Sequence, residues 1–437
     1  MRYLSLGTYP ISQPVHGGQL RANAIHKILR DCGWETRHMV VSSYGGAGRG
    51  MEAGDLFIAM SRRFRKKMAK RKWRPDVAAS DFIKGSGFHR RQIAEFIDDF
   101  RPDVIALEQC WLWPVLREYV EAGGGHDGFS IVYSSQNVEQ NLLAQEGALA
   151  GSEASPWNAR RAEEIERDLL AQADLVVAVG EQDAAFFRKF NASVVIAANG
   201  IWPRKPPIGL DHWASRLSGL RTALFVGSGH PPNANGFFEM TAPDLGFLSP
   251  DERIVVVGGV AQQIASDRRF LRRVDINDAR IELLGVQDGV TLSALIELAD
   301  VVILPIIEGG GTNIKTAEAL YNRKRIVATP FAFRGYEHFA HLRNVGLADN
   351  PGDFQALLVK ALRSDPDDLE PDGFGPADSA QLDSLLWTAT LQSLPAQFAA
   401  LPPRQRRVPA NLPTRSVAGP RDFLRALRRW FGAGRKS

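Results

Sequence analysis

The sequence predicts a two-domain α/β protein in which parallel β-sheets are covered by helices on both faces. The chain of 437 residues is long for one hydrophobic core and suits two domains of roughly 150–200 residues each. Short apolar runs rich in Val and Ile alternate with helical patterns along its length, as βαβ units require. A proline-rich connector at residues 202–207 separates the two halves and is typical of an interdomain linker.

Each half contains a series of short apolar runs that we predict to be strands. In the first half they are 2–6, 36–41, 103–107, 129–133, 174–179 and 193–197. In the second half they are 222–226, 253–258, 280–284, 300–305 and 325–328. The predicted organisation is an N-terminal domain at 1–205 with a basic insertion at 44–90, a C-terminal domain at 206–377, a helix at 378–400, and a basic tail at 401–437.

The net charge of +4 hides two strongly basic segments on an acidic body. Residues 61–74 carry nine Lys or Arg and no acid, and residues 401–437 carry ten with one acid, Asp422. A nucleic-acid binder would more often spread its basic residues along a groove with exposed aromatic side chains. The charge distribution therefore favours local docking patches and argues against nucleic acid as a partner.

Both basic segments also have the apolar spacing of amphipathic helices. The first carries Phe57, Met60, Phe64 and Met68, and the second carries Phe423, Leu424, Leu427, Trp430 and Phe431. Such helices suit an anionic membrane surface. The alternative is that each stripe packs on the protein and the charges form a solvated face. Because no apolar run approaches ~20 residues and the N-terminus leads straight into a strand, we expect a cytoplasmic protein, peripheral at the inner face of the plasma membrane by hypothesis.

The segment 301–320 places a glycine-rich turn between a buried strand and a helix. Glycines let backbone N–H groups approach an anion closely, and a helix starting at Thr312 or Asn313 would point its positive end at that anion. Lys315 can add a positive charge to a phosphate, and Glu318 follows on the same helix face, where it can meet a ribose hydroxyl. The pattern is neither a P-loop nor a dinucleotide fingerprint, and glycines in such turns can also serve packing alone.

Ordered landmarks along nearly the whole chain, to about residue 400, resemble the GT-B glycosyltransferases of the family 4 type. In the first half they are Gly17-Gly18, Ser135-Gln136-Asn137-Val138-Glu139, Ala173-Asp174-Leu175 and Ala198-Asn199-Gly200-Ile201. In the second half they are Leu224-Phe225-Val226-Gly227-Ser228, Pro232-Asn233-Ala234-Asn235-Gly236, Val257-Gly258-Gly259, Leu284-Gly285, the glycine-rich turn with its helix, and Arg325-Ile326-Val327-Ala328-Thr329. The resemblance implies two facing doubly wound Rossmann-like domains, with the last helix crossing back to the first.

The resemblance also implies a chemistry and a set of site residues. Transfer in this family retains anomeric configuration and uses no metal or other cofactor, with a nucleotide-diphosphate sugar as the donor. Lys315 and Glu318 are implied as the catalytic pair, with Glu318 on the ribose. Donor phosphate contacts are implied at Gly17, Gly18, Gly311, Thr312, Asn313 and Lys315. Sugar contacts are implied at Glu308, Gly309, Gly310, Gln136 and Asn137, and His16 is the imidazole nearest the acceptor side.

Two departures from the family pattern affect this implied site. Gly310 stands where the family usually has the first Glu of its Glu, seven residues, Glu motif, and Glu308 lies two residues earlier. A subset of the family has Gly-Gly-Gly-Thr here, so backbone amides can replace the carboxylate. The usual Arg and Lys after the first strand of the second domain are replaced by residues 228–233, which leaves Lys315 to carry more of the phosphate charge.

The leading hypothesis is a retaining glycosyltransferase that moves a sugar to a saccharide or lipid-linked acceptor at the cytoplasmic membrane face, in polysaccharide biosynthesis. Two alternatives stay open. One is a degenerate GT-B module that binds a nucleotide-sugar or a partner protein without transfer. The other is a sugar-nucleotide epimerase on the same fold, which would need more acid and base groups than the sequence offers. The base, the sugar, the acceptor and the oligomeric state are not encoded in any recognisable motif.

Overall fold

A computed structural model describes the chain over residues 1–43, 50–123, 128–150, 155–203, 207, 209–364 and 376–402. Within these ranges the chain forms two compact units. Unit 1 comprises Met1–Ala197 together with the chain from Leu391 onward, and unit 2 comprises Ala198–Thr390. The division therefore falls at Ala197, a few residues before the proline-rich connector. The predicted amphipathic helix of the basic tail lies outside the described residues.

Unit 1 is built on a seven-stranded parallel sheet. Its strands are β1 (Arg2–Gly7), β2 (Glu35–Ser42), β3 (Leu56–Ala59), β4 (Val104–Leu107), β5 (Ser130–Ser134), β6 (Leu175–Ala178) and β7 (Val194–Ile196), in the spatial order β3-β2-β1-β4-β5-β6-β7. Every residue of the central strands β4, β5 and β6 is buried, since helices cover both faces of the sheet. All six strands predicted for this half are present, and β3 is an additional edge strand.

The helices of unit 1 follow the strands as crossover connections. They are α1 (Gly17–Asp31), α2 (Arg62–Arg71), α3 (Ala79–Lys84), α4 (Gly87–Phe100), α5 (Trp113–Glu121), α6 (Glu139–Ala150), α7 (Pro156–Gln172) and α8 (Glu181–Phe187). The start of α1 is set by His16, whose side chain accepts a hydrogen bond from the backbone N–H of Gln19. Gly33, with φ at +80°, follows its end, as a helix terminus commonly requires.

Unit 2 is built on a six-stranded parallel sheet. Its strands are β8 (Arg221–Val226), β9 (Glu252–Val257), β10 (Ile281–Gly285), β11 (Val301–Leu304), β12 (Arg325–Ala328) and β13 (Val345–Leu347), in the spatial order β10-β9-β8-β11-β12-β13. Its helices are α9 (Leu210–Arg216), α10 (Pro231–Met240), α11 (Val260–Ser266), α12 (Arg268–Leu271), α13 (Val274–Asn277), α14 (Gly289–Leu298), α15 (Ile314–Tyr321), α16 (Pro351–Arg363), α17 (Pro376–Asp383) and α18 (Trp387–Thr390). The five predicted strands are present, and the edge strand β13 is additional.

Each sheet has one point where the strand order reverses direction. In unit 1 the chain continues from β1 to β2 on one side, while β4 lies against the other side of β1. In unit 2 the same reversal places β11 beside β8. Ligands of open α/β sheets bind at the carboxyl ends of the strands at such a point. The turns after β1 and β4, and the turns after β8 and β11, are therefore where binding residues are expected.

The segment 378–400, predicted as one helix, is three short helices divided between the two units. Leu382 and Leu385 pack in the core of unit 2, and the backbone N–H of Trp387 donates to the carbonyl of Ile201 at 2.9 Å. The third helix, α19 (Leu394–Ala399), belongs to unit 1. There the ring of Phe398 stacks on Tyr3 with centroids 5.7 Å apart. The chain thus returns to unit 1 through a break near residue 390.

The first basic segment packs its apolar residues on unit 1. Phe57 lies in strand β3, so the predicted helical stripe is wrong at its start. The helix α2 begins after Ser61, and Phe64 and Met68 on its inner face contact the hydrophobic core. Met68 is only 3% exposed. The apolar face is consequently unavailable to a membrane, whereas the eight Arg and Lys side chains at 62, 63, 65, 66, 67, 70, 71 and 72 are exposed.

No helix within the described ranges combines the length and the apolar character that crossing a bilayer requires.

Candidate functional site

The glycine-rich turn of unit 2 connects β11 to α15 at the reversal point of the sheet. Gly309 and Gly311 have φ values of +129° and +60°, a region that residues with a Cβ rarely adopt. Asn313 is the N-terminal cap residue of α15, which starts at Ile314. No described residue accepts a hydrogen bond from the backbone N–H groups of Gly310 and Thr312. The turn therefore presents backbone donors at the positive end of a helix, the usual arrangement for binding an anion.

Lys315 lies in the first turn of α15 and reaches the turn that follows β8. Its ammonium donates to Oδ1 of Asn233 at 2.9 Å, and Nδ2 of Asn233 donates to the carbonyl of Ser228 at 2.9 Å. Burial lowers the pKa of Lys315 to about 8, and the carboxylate of Glu318 opposes this effect. The partly buried Lys315 thus links the segments that follow β8 and β11. Asn233 was a landmark in the sequence but was not predicted as a site residue.

Glu308 and Glu318 occupy different surroundings. Glu318 lies one turn after Lys315 on the same helix, as the sequence spacing requires. Glu308 accepts a hydrogen bond from Nδ2 of Asn235 at 3.1 Å, and Asn235 in turn accepts one from Arg269 at 3.2 Å. The carboxylate of Glu308 is therefore drawn toward the first turns of α10, and Gly310 itself presents only backbone to any ligand.

Arg334 holds the glycine-rich turn from the loop after β12. Its Nε donates to the carbonyl oxygen of Gly311 at 2.7 Å, its Nη2 donates to the same oxygen, and its Nη1 donates to the carbonyl oxygen of Gly309 at 3.2 Å. The guanidinium also lies over the ring of Phe331, 4.3 Å from its centroid. Nothing in the local sequence indicated this role, since the contact joins loops more than twenty residues apart.

In unit 1, the predicted residues His16, Gly18 and Gln136 meet around Tyr9. The Tyr9 hydroxyl donates to Oε1 of Gln136 at 2.7 Å, and the His16 ring stands edge-on to the Tyr9 ring with centroids 4.7 Å apart. A Cβ at position 18 would collide with both Gln136 and the Tyr9 hydroxyl, which explains the glycine. Burial raises the pKa of Tyr9, so its phenol is a donor at neutral pH. Burial also lowers the pKa of His16.

The turn that carries Tyr9 is fixed by a buried chain of two histidines and a serine. Nε2 of His38 donates to the carbonyl of Tyr9 at 2.9 Å, so its Nδ1 accepts from the Ser5 hydroxyl at 2.6 Å. Ser5 then accepts from Nε2 of His26 at 2.6 Å. Burial lowers the pKa of both histidines, which keeps the neutral forms that this chain needs. The network runs from the core of unit 1 to the predicted acceptor side.

A pair of buried glutamates lies beneath the loop after β5. Glu166 accepts hydrogen bonds from the Tyr133 hydroxyl at 2.7 Å and from the backbone N–H groups of Glu139 and Gln140, both at 2.9 Å. Burial first, and then the charge of Glu166, raises the pKa of Glu139 to about 8. The side chain of Asn137 bonds to Glu139 and opposes that rise. At neutral pH Glu139 therefore carries a proton. The predicted sugar-binding residue Asn137 is hydrogen-bonded to Glu139 and does not face solvent alone.

A further buried carboxyl lies at the end of β4. Glu108 accepts hydrogen bonds from the hydroxyls of Tyr3 and Ser134, both at 3.1 Å. Burial raises its pKa to about 7, although the charge of Arg21 and these two hydrogen bonds lower it. Neither Glu108 nor Glu166 was predicted from the sequence. For Glu108 a signal was available, because a charged residue directly after an apolar strand lies at the carboxyl edge of the sheet, whereas Glu166 lies inside helix α7.

Comparisons with known proteins identify the fold. No protein-family model matches the chain, and no curated protein matches it in sequence. Three of the solved structures that resemble it over nearly their full length illustrate the match. Sucrose-phosphate synthase from Thermosynechococcus elongatus has a TM-score of 0.64 at 13% identity, covering 92% of this chain and 98% of that chain. HepE from Anabaena, solved in complex with UDP and glucose, has a TM-score of 0.62 at 14% identity. The match covers 91% of this chain and 99% of that chain.

The third structure is WaaG, a glycosyltransferase involved in lipopolysaccharide biosynthesis. Its TM-score is 0.59 at 16% identity, and the match covers 91% of this chain and 98% of WaaG. Sequence identities this low establish shared architecture only. With its two doubly wound units on parallel sheets of seven and six strands, the chain has the GT-B fold of these glycosyltransferases.

Proposed function

We propose that the protein is a retaining, metal-independent glycosyltransferase that uses a nucleoside diphosphate sugar as donor. The observation that carries the proposal is the partly buried Lys315, close in the chain to backbone donors that have no described acceptor, at the reversal point of the second sheet. Complexes of HepE with UDP and with UDP-glucose support a uridine nucleotide as the first donor to test. A saccharide or lipid-linked acceptor in polysaccharide biosynthesis completes the proposal.

The proposed chemistry centres on the leaving diphosphate. Negative charge develops on its oxygens as the glycosidic bond breaks, and preorganised positive groups at those oxygens lower the barrier. Lys315 supplies a full charge, and the N-terminus of α15 supplies partial charges from the amides of residues 310–313. A departing phosphate oxygen takes the proton of the acceptor hydroxyl on the same face of the sugar. No side-chain base is required by this scheme, and Glu318 holds the ribose hydroxyls.

The acceptor side is proposed to lie at the carboxyl edge of the first sheet. Tyr9, His16 and Gln136 offer a donor, an imidazole and an amide around the Gly18 turn, a suitable set for recognising sugar hydroxyls. Beneath them Glu139 is held protonated, so the edge is less negative than its sequence suggests. This supports a neutral, hydroxyl-rich acceptor for unit 1.

A donor screen tests the proposal. Purified protein is titrated calorimetrically with UDP, GDP and ADP, and the matching nucleotide-sugars are then assayed with and without membrane extract, in the presence of EDTA. We expect one diphosphate to bind, and sugar transfer to a product in the extract to survive EDTA. Transfer that stops with EDTA would remove the metal-independent scheme, and failure to bind any of the three nucleotides would remove the glycosyltransferase proposal.

The same screen distinguishes a binding module from an enzyme. The glycine at position 310 and the missing Arg and Lys after β8 favour a degenerate module, because they remove groups that the family uses on the donor. A module would bind the diphosphate but neither hydrolyse nor transfer the sugar. Exchange of the sugar nucleotide with an epimer, without an acceptor, would instead indicate an epimerase.

We also propose peripheral attachment to an anionic membrane through the exposed charges of α2. Since Phe64 and Met68 are packed inside, the attraction is electrostatic, worth about 1 kcal/mol per basic residue near the surface. Flotation with phosphatidylglycerol-containing liposomes at low salt should recover the protein. Changing Arg62, Arg63, Lys66 and Lys70 to Gln should lower that recovery several-fold.

The control carries the same charge change spread over other exposed positions, Arg160, Arg188, Arg268 and Arg272, each to Gln. It should float nearly as well as the wild type, because scattered charges do not sum at one surface. Equal loss in both variants would show that only net charge matters, and unchanged recovery of the α2 variant would exclude α2 as the docking element.

A further inference from the structure

Arg334 is the one described side chain that donates to two backbone carbonyl oxygens of the glycine-rich turn. The three hydrogen bonds to Gly309 and Gly311 use both ends of its guanidinium fork, Nε with Nη2 at one oxygen and Nη1 at the other. A guanidinium is planar and rigid, so two bonded carbonyls are fixed relative to each other as well as to the arginine. The orientation of two peptide planes in the turn is thereby set by a residue from a different loop.

The fixed carbonyls determine where the amides point. In a trans peptide the N–H lies opposite the C=O of the same planar unit. The carbonyl of Gly309 shares its unit with the N–H of Gly310, and the carbonyl of Gly311 shares its unit with the N–H of Thr312. Both N–H groups therefore point away from Arg334. These are two of the turn donors that no described residue accepts from.

A second contact holds the end of the turn. Nδ2 of Asn199 donates to the hydroxyl of Thr312 at 2.9 Å, and Gly335, with φ at +84°, leaves room for the Thr312 methyl, which a Cβ there would strike. Gly335, the residue after Arg334, thus also packs closely against the glycine-rich turn. Hydrogen bonding at the carbonyls also polarises their peptide units, which strengthens the opposite N–H groups as donors.

We propose that Arg334 is a positioning residue that orients the amides of Gly310 and Thr312 toward the diphosphate of the donor. This rests on the proposed function, since it assumes that a nucleoside diphosphate binds at the turn. Three of the five N–H groups of its guanidinium are bonded to Gly309 and Gly311, so we assign Arg334 to holding the turn and not to direct contact with the diphosphate. The oriented backbone amides thereby contact the donor at a site where Gly310 replaces the usual carboxylate and where the usual Arg and Lys after β8 are missing.

The test separates orientation of the amides from general support of the fold. Whichever of UDP, GDP and ADP binds the wild type best is titrated against the wild type, Arg334→Ala, Arg334→Lys and Arg325→Ala, and the affinity of the corresponding nucleoside is measured by displacement. Arg325 is a matched control at the opposite end of strand β12, where it likewise donates to two carbonyls, those of Ala361 and Ser364.

We expect Arg334→Ala to weaken the diphosphate about tenfold and the nucleoside less than about twofold, because two amide hydrogen bonds are misaligned but the base site is untouched. The diphosphate affinity of Arg334→Lys should lie between those of the wild type and Arg334→Ala, because an ammonium can bond one carbonyl only loosely. Arg325→Ala should leave both affinities unchanged. Hydrogen exchange of residues 309–313 should slow on diphosphate binding in the wild type and not in Arg334→Ala.

Four results would overturn the inference. Equal loss of nucleoside and diphosphate would show a structural role only, and unchanged diphosphate affinity would show that the turn keeps its orientation without Arg334. If Arg334→Ala does not fold, Arg334→Lys decides, and a change of less than about twofold in its diphosphate affinity counts against the inference. If the wild type binds none of the three diphosphates, the proposed function fails and the inference with it, a different outcome from failure of Arg334 alone.

Discussion

Replacing Lys315 with Ala is expected to weaken binding of the donor diphosphate about 100-fold. The ammonium is partly buried near the ends of β8 and β11, and a hydrogen bond to a charged group contributes about 1.5–3 kcal/mol. Loss of transfer rate should exceed loss of affinity, since charge on the diphosphate increases in the transition state. Calorimetry with the diphosphate and initial rates with the sugar nucleotide measure the two effects.

The pH dependence of binding gives an independent test of Lys315. With its pKa near 8 in the free protein, Lys315 is protonated below that pH and must be reprotonated to bind an anion above it. Affinity should be constant below about pH 8 and fall about tenfold per pH unit above it, because each unit costs about 1.36 kcal/mol. Lys315→Ala should remove this fall. A fall of the same size in Lys315→Ala would assign the titration to another group.

Lys324→Ala is the matched control for this substitution. Lys324 lies just before β12, where burial also lowers its pKa, and its ammonium donates to the carbonyl of Glu297 at 2.6 Å. It lies at the amino end of the strands, away from the glycine-rich turn. We expect Lys324→Ala to bind the diphosphate with the same affinity as the wild type. If Lys324→Ala loses as much affinity as Lys315→Ala, the effect comes from weakening unit 2 and not from the site.

Glu139→Gln is expected to stabilise the protein at alkaline pH relative to the wild type. The folded-state pKa of Glu139 is about 8, against 4.5 for the ordinary group, so the unfolded chain loses this proton first as pH rises. The stability of the wild type therefore falls between about pH 4.5 and pH 8 and levels above it. A neutral Gln has no proton to lose, so the variant should gain up to about 5 kcal/mol over this range.

Denaturant unfolding at pH 5, 7 and 9 measures the difference between the variant and the wild type. Contributions from His26, His38 and Glu108 are present in both proteins and cancel in that difference. The control is Glu95→Gln on α4, where the carboxylate is exposed and solvated in both states. Its difference from the wild type should not change with pH. A flat difference for Glu139→Gln as well would mean that Glu139 is ionised in the folded protein.

Most strands of both sheets could be predicted from local sequence, including the edge strands β7 and β10, while the edge strands β3 and β13 could not. Strands β4, β6 and β11 are buried on both faces and therefore appear as continuous apolar runs. The edge strands β3 and β13 are short and only partly buried, and β13 contains Gly346, so neither carries that pattern. Each pairs with a neighbour that was predicted, β2 or β12, but backbone pairing leaves no pattern in the side chains.

The C-terminal segment shows a limit of periodicity as evidence. Apolar residues at spacings of three and four predicted one helix over 378–400, and the same spacing fits several short helices. Leu382 and Leu385 contribute to the core of unit 2, whereas Phe398 packs on Tyr3 in unit 1. Which residues belong to which core depends on the tertiary contacts, because the pattern specifies an apolar face but not its partner.

The α/β class and the positions of most strands could be predicted from the sequence alone. So could the segments near strand ends where charged and glycine residues gather, including Lys315, Glu318 and Gly18, because these follow from short-range burial patterns and turn chemistry. The fold was needed to find that Lys315 bonds to Asn233, that Arg334 holds Gly309 and Gly311, and that Glu139 is paired with Glu166. Hydrogen bonds and pKa shifts depend on distances between separate loops, and strand order and register set those distances.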